Sequence, residues 1–79
     1  MDRHTFPADL LETQTAWYVT YEQLAAATVD DGAAAYRRRL LRLSRLIAAH
    51  PFWQTRAGTP AARVALKEVA RARAAGATR

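Results

Sequence analysis

Apolar side chains recur every three or four positions through most of this sequence, in runs separated by short stretches rich in glycine, proline and aspartate. In the first run Leu10, Trp17, Tyr21 and Leu24 fall on one helical stripe, flanked by Leu11, Gln14 and Tyr18. Glu12, Thr15, Val19 and Glu22 fall on the other side. The spacing predicts a helix over about 7–28, with Pro7 at the first helical position, where a missing N–H costs nothing. Asp9 and Glu12 then stand near the positive end of the helix dipole.

Val29-Asp30-Asp31-Gly32 breaks the pattern, with the glycine permitting a turn and either aspartate suited to cap the next helix. That second helix is predicted over about 33–49, stopped by Pro51. Its inner stripe is Tyr36, Leu40, Leu43 and Ile47; Arg38, Arg42 and Arg45 lie opposite, with Arg37 and Arg39 at the edges. Leu41 and Leu46 fall outside the stripe, so this helix is apolar on more than one side. His50 to Gly58 forms a connector carrying Phe52 and Trp53. Thr59-Pro60 reads as an N-cap followed by proline at the first helical position, opening a third helix over about 60–74. Its inner stripe, Ala62, Leu66 and Val69 with Ala65 and Ala72, is thin.

Two long helices joined by a four-residue break should pair antiparallel. The third helix is expected to close the groove between them, with Phe52 and Trp53 plugging one end. The fold class is therefore all-α: a small three-helix bundle built on an antiparallel helix hairpin, with residues 1–79 as a single helical domain. Trp17, Tyr21 and Tyr36 are expected in its core.

Length and composition sharpen this picture. A chain of 79 residues hides only about 60% of its extended surface on folding. The absence of cysteine excludes disulfides, thiolate metal sites and a cysteine nucleophile. Stability must come from helix packing or from burial against a partner, so a protein partner or self-association is expected. The first residues lack the charged start and apolar stretch of a secretory leader, and no apolar run is long enough to span a bilayer, so a cytoplasmic protein is expected. The preference for Ala and Arg, with a single Lys, fits a GC-rich bacterial genome. The overall charge of +5 is unevenly spread: residues 1–31 are net negative, and residues 32–79 set eleven Arg or Lys against Glu68 alone.

Little in the chain suits catalysis. His4 and His50 are in no metal-binding spacing, and Glu12 and Glu22 are ten residues apart, too far to act as a carboxylate pair. No phosphate-cradling glycine loop is present. The expectation is a non-enzymatic protein with no catalytic residues, no metal, no cofactor and no small-molecule substrate. The arginines are the better candidates. Arg38, Arg42 and Arg45 make one stripe, and Arg63, Lys67 and Arg71 a second; their donors suit phosphate, so a nucleic-acid backbone is one candidate partner. A helix-turn-helix is disfavoured, because nine residues separate the second and third helices and the second opens Ala33-Ala34-Ala35. Membrane binding through the basic second helix is disfavoured because its apolar stripe is needed against the first helix. Leu41 and Leu46, with Phe52 and Trp53, supply spare apolar surface for a protein interface. The leading expectation is an interaction or accessory module that docks on a protein partner or pairs with itself, with non-specific nucleic-acid binding as the alternative.

Overall fold

The computed structural model describes residues 4–27 and 32–77. These form three helices, α1 (Ala8–Ala26), α2 (Ala33–Ala48) and α3 (Pro60–Ala77), with a short 3₁₀ turn over Pro51–Gln54 between the last two. The fold is a small all-α three-helix bundle, with no strand among the described residues.

Local chemistry sets the helix ends. Pro7 is the N-cap rather than the first helical residue: its ψ of 140° is extended, and its carbonyl accepts the Leu11 N–H at 3.1 Å. Within α1 the hydroxyls of Thr13, Thr15 and Thr20 donate to the carbonyls of Asp9, Leu11 and Ala16, which satisfies them inside a helix. Gly32 enters α2 with a φ of 78°, a left-handed conformation that strains any residue bearing a Cβ. The expected capping by Asp30 or Asp31 lies outside the described residues, as does Thr28 at the expected end of the first helix. Thr59 caps α3 as its sequence implies, with Oγ1 accepting the Ala62 N–H at 3.1 Å. The helix then runs to Ala77, through Gly76 and past the expected end near 74.

Helix order in space is set by the pairings. Asp9 meets His50, Trp17 meets Ser44 and Thr20 meets Arg39, so α2 runs antiparallel to α1. Leu10 clusters with Ala62 and Leu66, and Tyr18 lies under Arg71, so α3 ascends parallel to α1. Both α2 and α3 pack along α1 far more than on each other. The expected closure of the hairpin by the third helix therefore does not occur. Instead α1 is the middle of an open slab, with a groove on each face. One groove is floored by Gln14, Trp17, Tyr18 and Tyr21, the other by Thr15, Ala16, Val19 and Thr20. At about 100° per residue these two sets point to nearly opposite sides of α1.

The core gathers at one end of the slab. Leu10, Phe52, Ala62 and Leu66 form it, with Phe6, Leu11, Ile47 and Trp53 packed around them. Further up, α3 meets α1 through Ala70 and Ala74, continuing the four-residue register of Ala62 and Leu66. This register turns Val69 and Ala72 outward, correcting their expected place on the inner stripe; Val69 is 41% exposed. Tyr21, expected in the core, is 52% exposed, and Trp17 and Tyr36 are half-buried. The physical reason is the open slab: residues on either face of α1 have flanking helices beside them but none above.

Candidate functional site

The first groove is built from all three helices. Its floor is an aromatic surface on α1. Trp17 and Tyr21, one helical turn apart, stack with centroids 5.4 Å apart and planes 7° from parallel. Tyr18 meets the Trp17 ring edge-on at 5.2 Å. The Trp17 indole N–H donates to Ser44 Oγ at 2.9 Å, holding the ring across the seam between α1 and α2. Ser44, Ile47 and Ala48 form the α2 wall, and Arg63, Lys67 and Arg71 the α3 wall. Glu22 is the one carboxylate in the lining, and the groove holds about 650 Å³.

Two of the three cations are held by aromatic faces. The Arg71 guanidinium lies 5.3 Å from the Tyr18 ring centroid and that of Arg63 4.6 Å from Trp53. A guanidinium over a ring keeps its N–H edge free to donate. The groove thus offers an exposed π surface, uncharged side chains along one wall and a row of cations along the other.

The candidate residues read from the sequence separate into distinct places. Arg63, Lys67 and Arg71 all line this groove, whereas Arg38, Arg42 and Arg45 are exposed on α2 and line neither groove. The two cationic stripes do not merge into one face, and Glu22 stands in the lining beside the second. Leu41 and Leu46 are 52% and 56% exposed, but five residues separate them, which is about 140° of rotation. They occupy opposite edges of α2 and make no common patch.

Phe52 and Trp53, expected as a contact surface, are turned inward. Phe52 is 8% exposed and packs against Phe6 with centroids 5.6 Å apart. Trp53 is half-buried, and its indole donates to the Ile47 carbonyl at 2.7 Å, tying the connector to the end of α2. Gly58 permits this arrangement, because a Cβ there would lie 2.6 Å from both the Phe52 carbonyl oxygen and the Trp53 Cα. The expected role of these aromatics as a plug at one end of the bundle describes their position.

A polar latch holds the same end. His50 Nδ1 accepts the Phe52 N–H at 3.1 Å, so the ring proton sits on Nε2, which faces Asp9 Oδ2 at 3.0 Å. The hydrogen bond from His50 holds the Asp9 carboxyl below its usual range. The second groove, about 600 Å³, has Glu12, Thr15, Gln23, Tyr36, Arg39 and Arg73 in its lining. At its base Thr20, 1% exposed, accepts the Arg39 Nε–H at 3.0 Å.

Periodicity alone does not single out Tyr18, Ser44 and Ala48 as site residues, and it assigns Trp17 and Tyr21 to the core. The available signal is the adjacency of Trp17 and Tyr18: neighbours on a helix point about 100° apart, so both cannot face one narrow core.

Among the described residues no three acidic or histidine side chains gather in a way that could hold a metal ion, and no helix is long and apolar enough to cross a membrane. Over residues 9–69 the sequence matches a domain of unknown function, DUF8825, and the chain belongs to that family. Neither a curated protein nor a solved structure matches it. The matched span takes in α1 from Asp9, α2, the connector and the first half of α3, and so the floor and both walls of the first groove except Arg71.

Proposed function

We propose that this chain is a non-catalytic helical interaction module, and that the groove over Trp17 and Tyr21 receives a helical segment of a partner protein. The observation that supports it best is the stacked, solvent-facing aromatic pair on the floor of an open trough. Large aromatics left accessible beside a cationic wall are the composition of protein-interface centres. Because α2 and α3 flank α1 and pack mainly on it, the trough suits a helix seated at the usual interaxial distance of about 8–10 Å. Helix-in-groove recognition works through such anchors. Phosphate binding by the arginine stripes is the weaker reading, since Arg38, Arg42 and Arg45 are apart from Arg63, Lys67 and Arg71 and the latter row shares its groove with Glu22.

The test is selection from a displayed library of helical peptides of about four turns, followed by titration into ¹⁵N-labelled protein. The Trp17 indole, together with Tyr18, Tyr21 and Lys67, should shift, and Ala48→Trp, which fills the trough, should abolish binding. A labelled random-sequence duplex is titrated beside it across a salt series. Duplex binding that persists near physiological salt with a steep log–log slope, together with peptides that leave Trp17 unmoved, overturns the docking reading in favour of nucleic acid.

A further inference from the structure

Resting on the docking-groove reading, we infer that the segment seated there is an acidic amphipathic helix, with carboxylates at four-residue spacing along one flank and an apolar anchor over the Trp17–Tyr21 stack. The walls of the groove are chemically unequal. Arg63, Lys67 and Arg71 stand at four-residue intervals on α3, a row about 12 Å long at 1.5 Å per residue. Ser44 and Ala48 on the facing wall carry no charge and little bulk. A helix laid between them meets cations on one side and a close, uncharged surface on the other. Only a helix acidic on one flank and small or apolar on the other satisfies both walls at once.

The cationic row is partly set in advance. Arg63 and Arg71 are held over Trp53 and Tyr18, so less side-chain freedom is lost when a carboxylate arrives. Glu22 fixes the direction of the match, because it repels a carboxylate at the Tyr21 end of the trough and favours a cation or neutral residue there. A second copy of this chain does not present the pattern: no two of its seven acidic residues lie four apart.

The experiment reads the composition of the selected peptides and the effect of charge on their binding. Peptides that move the Trp17 indole should carry Asp or Glu at four-residue spacing with an aliphatic or aromatic residue between. The single variant Lys67→Glu and the triple variant R63E/K67E/R71E, checked for an unchanged helical circular-dichroism spectrum, should weaken them progressively, by about tenfold or more for the triple. If groove-binding peptides are neutral or basic, or bind the triple variant as well as the wild type, the acidic assignment falls while the docking groove stands. If no selected peptide moves Trp17, both fall. Sedimentation of the free protein completes the test: a concentration-dependent dimer that buries the Trp17 indole makes a second copy the occupant and overturns the inference.

Discussion

Truncating Leu66 and Trp17 separately tests whether the slab is as open as its geometry implies. Leu66 is 1% exposed and packs in the cluster of Leu10, Phe52 and Ala62. Leu66→Ala leaves a cavity against α1 that the connector cannot fill, and should cost about 3 kcal/mol. A domain of this size holds about 4–12 kcal/mol in all. At about 4–8 °C per kcal/mol, its melting temperature should fall by about 12–24 °C. Trp17 is larger, yet it is half-buried, stacks on the exposed Tyr21 and donates to the exposed Ser44. Trp17→Ala should cost about 1–2 kcal/mol, the lateral contacts and a modest hydrogen bond, rather than the 3–5 kcal/mol typical of a fully buried tryptophan. Thermal and urea unfolding followed by far-UV circular dichroism measures both. Leu66→Ala should be clearly the worse. If Trp17→Ala melts as low as Leu66→Ala, the core runs the length of α1, the groove is closed in solution, and the docking reading has no site.

Two further outcomes concern the closed end of the molecule. Gly58→Ala should cost about 1–3 kcal/mol, because both atoms its Cβ would strike are backbone, the Phe52 carbonyl oxygen and the Trp53 Cα; a variant with the wild-type urea midpoint would show that the connector is looser than described. Asp9 supplies a pH dependence with a definite sign. Its carboxyl is held low by the His50 hydrogen bond, so its stabilising share is present above the unfolded aspartate value near 4 and is lost as pH falls through the lower folded value. Asp9→Asn should therefore flatten the acid limb of a stability–pH profile below about pH 4 and reduce stability at neutral pH. An unchanged acid limb would remove the latch from the account.

The helices and their order are legible in the sequence because they rest on local signals: Thr59-Pro60 opens α3, Pro51 stops α2 and Gly32 turns the chain. The stacking of helices is less legible. Ala62, Leu66, Ala70 and Ala74 make a better register than Ala62, Leu66, Val69 and Ala72 only if close backbone approach outweighs side-chain bulk, and periodicity ranks bulk first. The same bias places Trp17 and Tyr21 inside. For the site, the four-residue row of Arg63, Lys67 and Arg71 is legible as a stripe, but not that α1 would set aromatics beside it. Phe52 and Trp53 sit in a connector with no helical period, so only the 3₁₀ turn and the close approach at Gly58 decide that they point inward.

The small side chains of α3 connect the weakness of the core to the presence of the groove. An alanine at positions 70 and 74 brings α3 close to α1 but buries far less apolar surface than leucine would, at about 0.8 kcal/mol for each missing methylene. The upper half of the molecule is therefore held by buried Leu43 of α2, a thin alanine seam on α3 and polar ties such as Thr20 to Arg39. A helix seated on Trp17, Tyr18 and Tyr21 would cover the apolar surface that α3 leaves open and bridge α2 to α3, which otherwise meet mainly through α1. Occupancy of the groove and stability of the bundle are then linked: whatever binds the folded chain raises its melting temperature with concentration, and most protection is gained around α1 above Gln14. Leucines in place of Ala70 and Ala74, both buried, would overpack the seam, push α3 away from α1 and reshape the trough. On this account the alanine stripe and the open aromatic floor are two consequences of one packing choice.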